Sequence, residues 1–220
     1  NISNFMIDTI IVGSGFSGLT SYLLLKKYNP TVLALSKINH QKTLLKNRKK
    51  LKTNKLCSQK IHSYGSLNFN LKSSIKLHDR LSMGGNSNIW GGFIDVSDLS
   101  KKFINICNQN SIKFEKLDFE KNGYKSNNEF IRQLRDSKDN ILNSSYFFND
   151  FINGYLYSFE VQNNKILLKY LNSKNTKINT LETKKLILAI SFPQLIDLLF
   201  RSGYINENKT LVLTEFNHKF

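Results

Sequence analysis

The stretch Asp8-Thr9-Ile10-Ile11-Val12-Gly13-Ser14-Gly15-Phe16-Ser17-Gly18-Leu19 constrains this chain more than any other. An apolar run leads straight into three glycines spaced G-x-G-x-x-G, and an apolar segment with helical spacing, Leu19 to Tyr28, follows. Strand, glycine turn and helix in that order make a nucleotide-binding turn. Each glycine has a separate role. Gly13 lets the chain leave the strand in a tight turn, because a missing Cβ opens backbone angles closed to other residues. Gly15 lets the backbone approach a pyrophosphate, whose charge then faces the unpaired N–H groups and the positive dipole end of the helix. Gly18 lets the helix pack closely on the strand.

The helix carries Leu19, Tyr22, Leu23 and Leu24 as an apolar stripe, with Lys26 and Lys27 in its last turn, and Asn29-Pro30 ends it. Thr31 to Leu35 then reads as a buried parallel strand that completes a βαβ unit. At the end of such a second strand an Asp or Glu ordinarily takes a ribose hydroxyl. Here Ser36-Lys37 stands in that place, and no acidic residue occurs between Asp8 and Asp79. Ser36 can still hydrogen-bond a ribose and Lys37 can face a phosphate, which keeps an NADP-like ligand open.

A chain of 220 residues that is 40% hydrophobic can bury one core, as one domain or a domain with an insertion. No stretch is apolar enough to span a bilayer, and Ile7 to Leu25 reads as strand, turn and helix rather than a signal peptide. Cys57 and Cys107 are too far apart for a disulfide framework or zinc site, so a reducing cytoplasm is the expected setting. The net charge of +16 raises nucleic-acid binding, but of 32 basic residues only five are Arg, beside 28 Asn. That bias follows the codons of an AT-rich genome, and no Arg or aromatic-basic cluster stands out, so no nucleic-acid partner is expected. Ile38 to His78 is polar and basic, with eight Lys or Arg from Lys37 through Lys55, and reads as a solvated excursion. His40, His62 and His78 read as surface residues, without a carboxylate or Cys at ligand spacing.

A second informative stretch is Arg80-Leu81-Ser82-Met83-Gly84-Gly85-Asn86-Ser87-Asn88-Ile89-Trp90-Gly91-Gly92-Phe93. Two glycine pairs bracket small polar side chains and the only Trp. Paired glycines permit close backbone approach to a flat ligand, Asn and Ser supply donors, and Trp90 supplies a ring. A glycine-rich turn with a core Trp fits the same residues.

GSGFSG followed by GGNSNIWGG resembles the flavoproteins of the glucose-methanol-choline oxidoreductase superfamily, especially the branch of pyranose- and gluconate-oxidising enzymes. The resemblance implies FAD as cofactor, with Gly13, Ser14, Gly15, Phe16, Ser17 and Gly18 at the pyrophosphate and Ser36 and Lys37 near the ribose. Gly84, Gly85, Asn86, Ser87, Asn88, Trp90 and Gly91 would lie at the flavin ring and its ribityl chain. It also implies an α/β fold: a Rossmann-like FAD-binding domain with a parallel sheet, flanking helices and a β-hairpin or meander, beside an incomplete substrate domain. The FAD-binding domain is expected over 1–94 and 151–203, an inserted start of a substrate-binding part over 95–150, and a truncated tail over 204–220.

Within 95–150, Phe103, Ile104 and Ile106 predict one short helix and Phe130, Ile131 and Leu134 another. From Ile152 the pattern turns to strands. Gly154 to Val161, a turn at Asn163-Asn164, and Lys165 to Leu171 predict a hairpin; Lys184 to Ser191 predicts a buried strand, and Pro193 opens a helix through Phe200. The resemblance places Leu156 near adenine and Ala189 on a strand passing the cofactor, where Ser191 replaces the family's glycine. Nothing after Ser202 matches the C-terminal segment that carries the family's catalytic His, and His218 has no recognisable partner, so no catalytic residue is assigned. The expected function is an FAD-dependent oxidoreductase, or a fragment of one, that moves a hydride from an alcohol or sugar CH–OH group to flavin. A non-catalytic FAD-binding remnant, a flavin-dependent sugar mutase and a nicotinamide-dependent enzyme are the alternatives. The expected partner is a small-molecule alcohol or sugar, and the oligomeric state is open.

Overall fold

A computed structural model describes residues 6–35, 83–88, 92–97, 99–116, 130–172 and 177–205. The chain divides into two compact units, one formed by Asn1–Trp90 with Asn143–Tyr204, the other by Gly91–Leu142 with Ile205–Phe220.

In the first unit, β1 (Ile7–Val12) runs into α1 (Phe16–Leu25), a 3-10 turn (Lys26–Tyr28) and β2 (Thr31–Ala34), and β1 and β2 pair in parallel. Asn29 ends the helical segment in the left-handed conformation at φ +50°, a region Asn tolerates better than most residues. Ile10 and Ile11 point to opposite faces of β1 and both are fully buried, as expected for a parallel strand covered on both sides. The predicted hairpin forms from β6 (Ile152–Gln162) and β7 (Lys165–Asn172) about Asn163-Asn164.

The sheet is mixed rather than simply parallel. Its order is β1-β2-β6-β7-β8, closing back on β1, with β8 spanning Ile178–Leu188. Closure depends on two eleven-residue strands that change partner along their length. β6 pairs in parallel with β2 at Ile152 and Asn153, then antiparallel with β7 from Gly154 onward. β8 pairs antiparallel with β7 from Ile178 to Thr183, then in parallel with β1 from Thr183 to Leu188. Thr183 is the handover residue, fully buried, its hydroxyl 3.2 Å from the Asp8 carbonyl and 2.9 Å from the Lys185 carbonyl. Sequence reasoning reached only the second half of β8, because Ile178 to Thr183 alternates weakly and includes polar residues on both faces.

The core inside this sheet gathers Ile10, Val12, Leu33, Leu156, Leu168 and Tyr170 with Leu198 of α3 (Phe192–Arg201). Pro193 lies in the first turn of α3, where its missing N–H costs no helical bond. At the other end Gly203 (φ +78°) donates to the Phe200 carbonyl and Tyr204 to the Leu199 carbonyl, the paired bonds of a Schellman cap.

In the second unit, β3 (Phe93–Asp95), β5 (Ile131–Arg135) and β4 (Lys113–Lys116) form an antiparallel sheet in that order. α2 (Lys101–Gln109) matches the first predicted helix and is capped by the Ser100 hydroxyl, which accepts from the Phe103 N–H at 3.2 Å. The second predicted helix, about Phe130, Ile131 and Leu134, is instead the strand β5. Asp136 stops any helical continuation: one carboxylate oxygen accepts the N–H groups of both Lys138 and Asn140 at 2.9 Å, and the chain folds back until Leu142 donates to the Leu134 carbonyl. Burial pushes the Cys107 thiol up to about 11.

Candidate nucleotide-binding site

The β1–α1 turn shows what each glycine does. Gly13 sits at φ +106°, and its N–H donates to the Leu33 carbonyl at 2.9 Å, tying the turn to β2. A Cβ there would lie 2.9 Å from the Ala189 carbonyl carbon and nearer still to its oxygen. A Cβ on Gly18 would lie 2.8 Å from the Gly13 carbonyl carbon, so α1 packs on the turn itself. Gly15 differs from both. It is the N-cap of α1 in extended conformation, no side chain caps the helix, and a Cβ on it would meet nothing within 4 Å.

Gly15 also borders a cleft of about 300 Å³. Gly13 through Ser17 form one wall, and Gly85 and Ser87 border it. Leu33, Leu156 and Leu198 line it with apolar surface, and Ala189 through Ser191 lead into α3, which adds Gln194 and Arg201. Of the residues singled out in the sequence, Gly13, Ser14, Gly15, Phe16, Ser17, Gly85, Ser87, Leu156 and Ala189 meet at this cleft. Gly18 lies in α1 behind the turn, and Gly84 is buried beside it at φ +85°. Asn86 and Asn88 belong to the 3-10 turn Gly85–Asn88, with only their backbone described. Ser36, Lys37, Trp90 and Gly91 lie outside the described residues, as do His40, His62, His78 and His218. Ser191, where the resembled family has glycine, is the N-cap of α3 at φ −66°, so its backbone makes no demand for glycine.

Two features of this region were not read from the sequence. The first is a buried hydroxyl network. The Gly84 N–H donates to Ser14 Oγ at 3.0 Å, and the Ser144 hydroxyl donates to the Ser14 carbonyl at 2.7 Å. Ser87 Oγ accepts the Ser144 N–H at 3.1 Å and lies 2.6 Å from both Ser144 Oγ and the Gly84 carbonyl. Three segments distant in sequence are thereby joined at the turn. The available signal was Asn143-Ser144-Ser145, a short capping pattern in which Asn143 Oδ1 accepts the Ser145 N–H at 3.0 Å and opens the 3-10 turn Ser144–Phe147.

The second feature is a polar corner where α3 meets β6. Arg201 donates Nη2 and Nε to Asp197 Oδ2 at 2.8 and 3.1 Å, and Nη2 also reaches the Tyr155 hydroxyl at 2.7 Å. The Arg201 and Asp197 side chains are 8% and 6% exposed, so this is a buried ion pair. A bulge between Leu156 and Ser158 leaves Tyr157 outside the β6–β7 register, and Arg201 Nη1 donates to its carbonyl. The guanidinium lies 5.1 and 5.0 Å from the ring centres of Tyr155 and Tyr157. Burial, more than the opposing pulls of Arg201 and Asp197, pushes the Tyr155 hydroxyl up to about 12. Asp197 Oδ1 is buried without a hydrogen-bond partner among the described residues. The i,i+4 spacing of Asp197 and Arg201 on a Pro-opened helix was the legible clue.

Among the described residues no helix is long and apolar enough to cross a membrane, and no three His, Cys, Asp or Glu side chains are grouped to hold a metal ion. No protein-family model matches the chain, and no curated protein matches it. Among solved structures it is similar, at 11% identity and a TM-score of 0.35, to the open form of a mutant of NikD, described as an unusual amino acid oxidase essential for nikkomycin biosynthesis. The match covers 88% of this chain and 53% of that one, so this chain spans about half of its length. A likeness of that size identifies neither a family nor a function.

Proposed function

We propose that the cleft at the end of β1 binds FAD and that the chain is an FAD-dependent oxidoreductase, or part of one, acting on an alcohol or sugar CH–OH group. The observation that carries the binding reading is the division of labour among the glycines: Gly13 and Gly18 close the turn, and Gly15 leaves the N-terminus of α1 open to the cleft. The first N–H groups of a helix lack intrahelical partners and its dipole favours negative charge there, which suits a pyrophosphate. Leu33, Leu156 and Leu198 suit a flat adenine ring. The volume, at the lower end of small-molecule sites, fits the adenosine-diphosphate half of the cofactor. The flavin half is assigned to the side of Gly85 and Ser87, and this choice of FAD over other dinucleotides rests on the paired motifs GSGFSG and GGNSNIWGG, as does the glucose-methanol-choline reading. Bound flavin supplies the hydride acceptor.

The purified chain is expected to carry or take up FAD in preference to NADP, measured by its visible spectrum and by titration. A colourless protein that takes up no added FAD overturns the proposal. Under anaerobic conditions, bleaching of the bound flavin by one of a panel of sugars and alcohols supports the oxidoreductase, whereas binding without bleaching by any of them favours a non-catalytic FAD binder.

A further inference from the structure

The peptide between Ser14 and Gly15 is gripped from behind. Ser144, fully buried, donates its hydroxyl to the Ser14 carbonyl at 2.7 Å, in preference to the Gly84 carbonyl at 3.3 Å. In a planar trans peptide the C=O and the following N–H point to opposite sides. A Ser14 carbonyl held toward Ser144 therefore turns the Gly15 N–H away from it, and Gly15 borders the cleft while Ser144 does not.

Ser144 has one hydroxyl proton, committed to Ser14. The Ser87 hydroxyl donates to the Gly84 carbonyl at 2.6 Å, beside the Ser87 N–H at 3.0 Å, and its oxygen accepts the Ser144 N–H at 3.1 Å. We propose that Ser144 is a positioning residue: its hydroxyl sets the direction of the Gly15 amide and keeps the turn shaped for an anionic ligand without touching that ligand. The inference rests on the dinucleotide reading of the cleft.

Ser145 supplies the control. It is buried in the same 3-10 turn, but its hydroxyl donates to Asn143 Oδ1 at 2.7 Å, a local bond with no link to the glycine turn. The test compares Ser144→Ala, Ser144→Cys and Ser145→Ala in the full chain, by amide hydrogen exchange without ligand, by FAD titration and by thermal melting. Both Ser144 variants are expected to speed exchange at Gly84 and Leu19 and to weaken FAD binding roughly tenfold, the scale of one buried hydrogen bond. Ser145→Ala is expected to lower the melting temperature and leave FAD binding within about twofold. If Ser144→Ala does not fold, the milder Ser144→Cys decides. Equal FAD affinities for the Ser144 and Ser145 variants overturn the proposal, as does unchanged exchange at Gly84. Should the unsubstituted chain take up no FAD, the dinucleotide reading fails by itself, and the exchange data alone show whether Ser144 holds the turn.

Discussion

The glycine turn and the Arg201 corner border the same cleft and are built in opposite ways. At the turn the backbone does the work, and what matters is where side chains are missing: Gly13 beside the Ala189 carbonyl, Gly18 beside the Gly13 carbonyl, Gly15 beside open space. At the corner the work is done by long side chains from β6 and α3 that bury a guanidinium between two tyrosines and a carboxylate. A backbone site tolerates almost no added atom where it is closed; a side-chain site tolerates almost no lost atom. That difference can be tested by substitution.

The largest effect is expected for Gly13→Ala, which combines strain at φ +106° with a clash against backbone that cannot step aside. A loss of about 3 kcal/mol or more, measured by denaturant unfolding, is expected. A loss below about 1 kcal/mol would mean that the turn re-forms without its glycine. Arg201→Ala comes next. It leaves the Asp197 carboxylate buried and uncompensated, and removal of one partner of a buried pair costs about 3–5 kcal/mol. Replacing both residues together, Arg201→Met with Asp197→Leu, should recover most of that loss, and a double variant no more stable than the single one would show that the corner matters for its shape rather than its charge.

Gly15→Ala is expected to separate stability from binding. The position has room and an ordinary backbone, so unfolding should change by less than about 1 kcal/mol, while FAD affinity falls about tenfold because the methyl occupies the ligand's side of the turn. The smallest effect is in pH dependence. Tyr155 keeps its proton to about 12 in the fold, against about 10 when unfolded. Above pH 10 the unfolded chain releases a proton that the folded chain retains. The corner's contribution is therefore complete below pH 10 and is lost as pH rises toward 12. Tyr155→Phe should flatten that decline in an alkaline unfolding series, and an unchanged slope would remove Tyr155 as its source.

The same contrast explains how much could be read before the fold was known. The β1–α1 turn, β2, the β6–β7 hairpin, α2 and α3 all follow from spacings within a dozen residues, where glycine, proline and apolar period act locally. The mixed closure of the sheet does not, because β6 and β8 change partners at Gly154 and Thr183, and neither residue announces which strand will lie beside it. The strand β5 resembles a helix in sequence because five residues carry too little periodicity to separate the two, and the Asp136 turn that decides the matter lies just beyond them. Ser144 and Tyr155 escaped notice for a related reason. Each gains meaning from a residue at least 42 positions away.

The handover at Thr183 also bears on how the protein is made. Its hydroxyl meets the Asp8 carbonyl across 175 residues of chain, so one edge of β1 has no neighbour until nearly the whole described chain exists. Contacts so distant in sequence slow folding, because a long loop must close before they form. During synthesis the βαβ unit waits with an apolar edge unpaired, the condition under which nascent chains most need shielding from one another. The residue that joins the two halves of the sheet therefore also sets the earliest moment at which the cleft can exist.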